Sequence, residues 1–136
     1  MFNLQPAEHG FSALMNTDLA NVDLCVAQIS LFLEKEALSQ HAFALTLLAR
    51  EALNNAMVHG NKLDARKNIR FDFHRFGNRF DLTVEDQGPG FDWNRHLGTT
   101  SQAHDVSGRG HEIYRHYARR VRYADPGNKI TLEYEG

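Results

Sequence analysis

Ile69-Arg70-Phe71-Asp72-Phe73-His74 and Phe80-Asp81-Leu82-Thr83-Val84-Glu85, joined across Gly77-Asn78, decide the fold. Apolar Ile69, Phe71 and Phe73 alternate with polar partners, as do Phe80, Leu82 and Val84, so each segment presents one row to a core and one to water. Gly77-Asn78 supplies the turn of a β-hairpin. A sheet with one dry face needs cover, and the cover lies upstream. Leu19, Val22, Val26, Ile29 and Leu33 recur at helical spacing and predict a helix from about Asp18 to Ala37, with Asn16-Thr17-Asp18 as capping side chains. Ser39 is the expected N-cap of a second helix that buries Leu45, Leu48, Ala49, Ala52 and Ala56. It ends near His59, where Gly60-Asn61 matches a C-terminal stop. Phe11 to Met15 reads as a short edge strand.

Downstream of the hairpin, Phe91 to Val106 shows little periodicity and reads as a long, lid-like loop. Ile113, Tyr117 and Val121 then indicate a helix starting near Gly110. A last hairpin pairs Val121-Arg122-Tyr123 with Ile130-Thr131-Leu132-Glu133-Tyr134 around Asp125-Pro126-Gly127-Asn128. The expectation is one domain over residues 1–136, an α+β two-layer sandwich whose mostly antiparallel sheet is covered on one face by helices.

With 136 residues and 42% hydrophobic content, the chain has enough apolar material for one core. A net charge of −2 argues against a polyanion-binding surface over the whole molecule. Arg115, Arg119, Arg120 and Arg122 form a local basic cluster, read either as a solvated face or as a contact for nucleic acid or an acidic partner. The lone Cys25 sits among apolar helix residues, which predicts a buried, unreactive thiol suited to a reducing cytoplasm. Neither a signal peptide nor an apolar run of membrane-spanning length is visible, so a cytoplasmic protein without membrane contact is expected.

Three short strings can carry chemistry. In Glu51-Ala52-Leu53-Asn54-Asn55, a carboxylate and an amide four residues apart share a helix face. Asn55 offers a hard oxygen suited to Mg²⁺, and Glu51 a carboxylate able to take a proton from an attacking hydroxyl or water. The plainer reading makes them a solvated acid and a local hydrogen bonder. In Asp86-Gln87-Gly88-Pro89-Gly90, an acid ends an apolar strand beside glycines that let a ligand approach. Asp86 can accept the exocyclic amine of adenine, or simply bond backbone amides of a tight turn. In Ser107-Gly108-Arg109-Gly110, a glycine pair opens a helix, where free N–H groups and the dipole favour phosphate. No Gly-Lys-Ser/Thr follows, and neither glycine pair fits G-x-G-x-x-G. Despite eight histidines, no H-E-x-x-H spacing points to zinc; His59 instead suits its helix C-terminus.

In this order the strings resemble the GHKL (Bergerat-fold) ATPases, with an N box at Glu51 to Asn55, a G1 box at Asp86 to Gly90 and a G2 box at Gly108 to Gly110. The runs Asn55-Ala56-Met57-Val58-His59-Gly60-Asn61, Asp86-Gln87-Gly88-Pro89-Gly90-Phe91-Asp92 and Ser107-Gly108-Arg109-Gly110 are most similar to bacterial anti-sigma factor serine/threonine kinases. The resemblance implies ATP and Mg²⁺ as cofactors. It makes Glu51 the general base, Asn55 the Mg²⁺ ligand, Asp86 the adenine anchor, Gly88 and Gly90 the pocket wall, and Gly108, Arg109 and Gly110 the phosphate-side turn. It further implies partner switching between a sigma factor or other regulator and an anti-sigma factor antagonist that is phosphorylated, and it allows a homodimer. No histidine-phosphorylation domain is expected ahead of the ATPase unit, so a complete sensor kinase is not expected.

One departure matters: relatives usually continue after Gly110 with apolar residues, whereas His111-Glu112 stand here. An acid facing the phosphates would oppose them. The alternative to a kinase is therefore a nucleotide-binding regulatory module that binds partners without phosphorylating them.

Overall fold

The computed structural model describes residues 1–88, 112–124 and 128–136. The predicted hairpin forms as β3 (Asn68–Phe76) and β4 (Arg79–Glu85), with Phe71 opposite Val84 and Phe73 opposite Leu82. Gly77 turns between them with φ of 62°. Around this pair grows a six-stranded antiparallel sheet that also contains β1 (Phe2–Ala7), β2 (Gly10–Asn16), β5 (Arg120–Ala124) and β6 (Lys129–Glu135). The spatial order is β1-β2-β3-β4-β6-β5. The closing hairpin is present as expected; its turn at 125–127 lies outside the described residues.

Phe11 to Met15 is not an edge strand. It lies within β2, and β1 pairs on its outer side from Phe2↔Met15 to Ala7↔Gly10. Pro6 lies within β1, where an edge strand tolerates a residue without an N–H.

Two helices cover the inner face. The first, α1 (Ala20–Lys35), is shorter than the Asp18 to Ala37 span at both ends. Asp18 does help to cap it, accepting the Ala20 N–H at 3.0 Å. Its buried row is Val22, Cys25, Ile29 and Leu33. Leu19, assigned to that row from spacing, is instead 47% exposed because it precedes the first helical turn. Burial pushes the Cys25 thiol up to about 12, so it is uncharged and unreactive while the chain is folded.

The second helix, α2 (Ala42–Asn55), buries Leu45, Leu48, Ala49, Ala52 and Leu53. Ser39 is not its N-cap. Ser39–His41 form a separate 3₁₀ turn, and His41 occupies the cap position without a side-chain bond. A third helix, α3, covers 112–117, with its start outside the described residues. Val121, which the sequence reading places both in the helical row and in the closing hairpin, belongs to the hairpin, in β5.

Helix α1 packs over β2 and α2 over β4 and β6. Between helices and sheet sits an aromatic core: Phe73 lies 5.5 Å from Phe11, 5.4 Å from Phe32 and 5.7 Å from Phe80. The outer face is polar and cross-linked. Ser12 and Arg70 bond Asp72, Thr83 bonds Thr131, and Arg122 approaches Asp81 and Glu133.

Candidate functional site

One end of the sheet carries Asp86 and Gly88, and the chain that follows Asn55 on α2 meets them there. There β2 ends, β3 begins, β4 ends at Glu85 and β6 begins, because antiparallel pairing sets Asn16 beside Asn68, Arg70 beside Glu85 and Glu85 beside Lys129. The C-terminal end of α2 reaches the same place.

Helix α2 does not stop at a left-handed glycine. It continues through a π-helical turn, Ala56–Gly60, closed by the Asn61 N–H on the Ala56 carbonyl at 2.8 Å. Such single π-turns are frequent at functional sites. The left-handed residues come later, Lys62 and Leu63 with φ of 54° and 58°. Gly60 is needed for a different reason: a Cβ there would overlap the Asp86 carboxylate, and one on Gly88 would overlap the Gly60 carbonyl oxygen. The π-turn and the segment leaving β4 thus touch backbone to backbone, a closeness only glycine permits.

Asp86 is 9% exposed. Its Oδ1 accepts the Gly88 N–H at 2.8 Å, and its own backbone is held by Asn128 through the Asp86 N–H to the Asn128 carbonyl and the Asn128 Nδ2 to the Asp86 carbonyl, each 2.9 Å. The tight-turn reading of this stretch is therefore correct as far as Gly88. Desolvation raises the Asp86 pKa; the Gly88 N–H pulls it back, Glu85 raises it further, and Lys67 opposes.

Asn61, noted in sequence as part of a helix stop and of the Asn55–Asn61 run but given no role, proves to be the clamp of this end. It is fully buried. Its Oδ1 accepts the Gln87 N–H at 2.7 Å, while Nδ2 donates to Thr17 Oγ1 at 2.9 Å and to the Asn68 carbonyl at 3.0 Å. Thr17 passes the connection to the Lys67 carbonyl, and Gln87 accepts the Asn68 N–H at 2.6 Å. One amide thereby ties α2, β2, β3 and the Asp86 turn together. Its signal in sequence was only a polar residue directly after Gly60, with no spacing to say what it would meet.

Asn55, directly before the π-turn, and Glu51, one turn earlier, are half-buried on α2. The Asn55 Nδ2 donates to the Tyr114 hydroxyl at 3.2 Å. Tyr114 is 5% exposed, and burial holds its phenol well above the usual range, against the Asn55 bond and with added repulsion from Tyr123 and Glu51. Glu51, Asn55, Asp86 and Gly88 are placed on the α2 and β4 ends; Gly90, Gly108, Arg109 and Gly110, with the Phe91 to Val106 lid and His111, lie outside the described residues. Glu112 is exposed. In the arginine cluster, Arg119 pairs with Glu135 and Arg122 with Glu133 at 3.5 Å, so much of that charge is neutralised locally.

Residues 15–134 match the family described as histidine kinase-like ATPase domain. The chain belongs to that family, and its six-stranded antiparallel sheet with helices on one face is consistent with a Bergerat-type ATPase fold. Membership supports ATP binding. No curated protein matches the chain. Among the described residues, no helix is long and apolar enough to cross a membrane.

Proposed function

We propose that this chain is a cytoplasmic, ATP-dependent serine/threonine kinase and anti-sigma regulatory factor. In this reading it phosphorylates an anti-sigma factor antagonist and alternates between that antagonist and a sigma factor. The observation that carries the nucleotide half of the reading is the Asp86 carboxylate, held against Gly60 and braced by Gly88 at the sheet end that α2 also reaches. Asp86 anchors the adenine amine; Gly88, Gly90, Gly108, Arg109 and Gly110 complete the pocket.

Among the described residues, no group of three or more His, Cys, Asp or Glu is arranged to hold a metal. A divalent cation at Asn55 would draw further ligands from phosphate oxygens and water, the habit of Mg²⁺. Bound Mg-ATP supplies the phosphoryl group and the positive charge that offsets its oxygens. Glu51, one turn before Asn55, accepts the proton of the substrate hydroxyl. The alternative of a non-phosphorylating module draws on Glu112. That side chain is exposed, where water screens its repulsion of phosphate.

Incubation with labelled ATP and the cognate antagonist tests the reading. Label should reach a serine or threonine, and Glu51→Ala should slow transfer by about 100-fold or more while leaving Mg-ATP affinity within about threefold. Binding of Mg-ATP without any transfer to a verified antagonist would leave the regulatory module in its place.

A further inference from the structure

We infer that Tyr114 is a positioning residue for Asn55, holding its side-chain amide so that the nitrogen faces the protein and the oxygen is left for a divalent cation. The inference rests on the reading of Asn55 as the Mg²⁺ ligand. It starts from one contact: the Asn55 Nδ2 donates to the buried Tyr114 hydroxyl at 3.2 Å. The two ends of an asparagine amide have nearly the same shape, so packing alone does not choose which one points outward. The Tyr114 hydroxyl can accept from the nitrogen or donate to the oxygen; here it accepts, and a cation on the oxygen holds that choice, because only the oxygen can ligate it. If the hydroxyl is removed, the amide either leaves a half-buried N–H₂ without its partner or turns to a rotamer that presents nitrogen where a cation needs oxygen.

The position of Tyr114 adds a second consequence. It stands on α3 (112–117), four residues after Gly110. The bond therefore links the helix that follows the third glycine string directly to α2. Tyr114 is not in the helical row of Ile113 and Tyr117 read from the sequence, which assigns it no role. Its hydroxyl is what connects the two motif-bearing helices.

The test is Tyr114→Phe, which deletes one oxygen and keeps the ring. Affinity for ATP is titrated with Mg²⁺ and with EDTA in four proteins: the unaltered chain, Tyr114→Phe, Asn55→Ala and the double variant. The unaltered chain should bind more tightly with Mg²⁺. Tyr114→Phe should reduce that gain about fivefold, the size of one net hydrogen bond, and leave binding in EDTA unchanged. In the Asn55→Ala background, the added Tyr114→Phe should change nothing, because the residue acts through Asn55.

A loss of equal size with Mg²⁺ and EDTA, or one that persists in the Asn55→Ala background, overturns the inference and leaves Tyr114 a scaffold residue. A Tyr114→Phe titration identical to that of the unaltered chain, with Asn55→Ala losing its Mg²⁺ gain, overturns the Tyr114 role alone. An unaltered chain indifferent to Mg²⁺ overturns the Asn55 reading and this one with it.

Discussion

At the scale of single residues, Asp86 sets function against stability. Burial raises its pKa, so the folded chain holds this proton more tightly than the unfolded chain does. The stability linked to that proton is fully present below the ordinary aspartate range and is lost as pH rises through the folded value. Above that value the ionised, largely desolvated carboxylate weighs on the fold. Asp86→Asn removes the charge and keeps an oxygen that can still accept the Gly88 N–H. Ligand-free Asp86→Asn should melt above the unaltered chain at pH 7, with the gap closing as pH falls below the carboxylate range in calorimetric scans. The same variant places an amide N–H₂ toward the adenine amine, donor against donor. Affinity for ATP should fall about 10- to 100-fold. A variant both weaker in binding and less stable at pH 7 would show that the carboxylate supports the fold.

At the scale of elements, the π-turn Ala56–Gly60 is where helix and strand end meet, and Gly60 makes the meeting possible. In an exposed helix, alanine in place of glycine stabilises by about 1 kcal/mol. Here the new methyl would overlap the Asp86 carboxylate, so Gly60→Ala should reverse the sign and cost about 1–3 kcal/mol in urea unfolding, with loss of ATP binding. Stabilisation by this change would mean that the two elements separate easily. The sequence made Gly60 legible as a helix stop but not as a spacer, because its partner lies in another element. Asn61 escaped for the same reason. What was readable was local: the alternation of β3 and β4, the buried row of α2, and the Glu51–Asn55 and Asp86–Gly88 spacings. β1 escaped because it is an edge strand whose residues are nearly all exposed, which leaves little hydrophobic signature. Ser39 misled because capping depends on backbone geometry that its 3₁₀ turn does not provide.

At the scale of the whole molecule, core and site occupy different parts of one sheet. Phe73 is fully buried among Phe11, Phe32 and Phe80, five residues along β3 from Asn68, which is about 17 Å at strand rise. Phe73→Ala removes three ring contacts and opens a cavity, a change that costs roughly 3–5 kcal/mol. That is a large share of the roughly 5–15 kcal/mol that holds a domain together, so the urea midpoint should fall steeply at unchanged slope. The site end has its own fastenings, since Asn61, Thr17, Gln87 and Asn128 fix it by hydrogen bonds that do not involve the aromatic cluster. The fraction of Phe73→Ala that remains folded should therefore bind Mg-ATP within about twofold of the unaltered chain. Nucleotide at 100 times its dissociation constant should return about 2.7 kcal/mol of the lost stability, because it binds only the folded form. If intrinsic affinity instead fell with the core, the hydrogen-bonded end would depend on packing across the whole helix layer. A sheet end clamped at both Asn61 and Asn128 gives the site a local frame, and that frame is why affinity and global stability should separate in this variant.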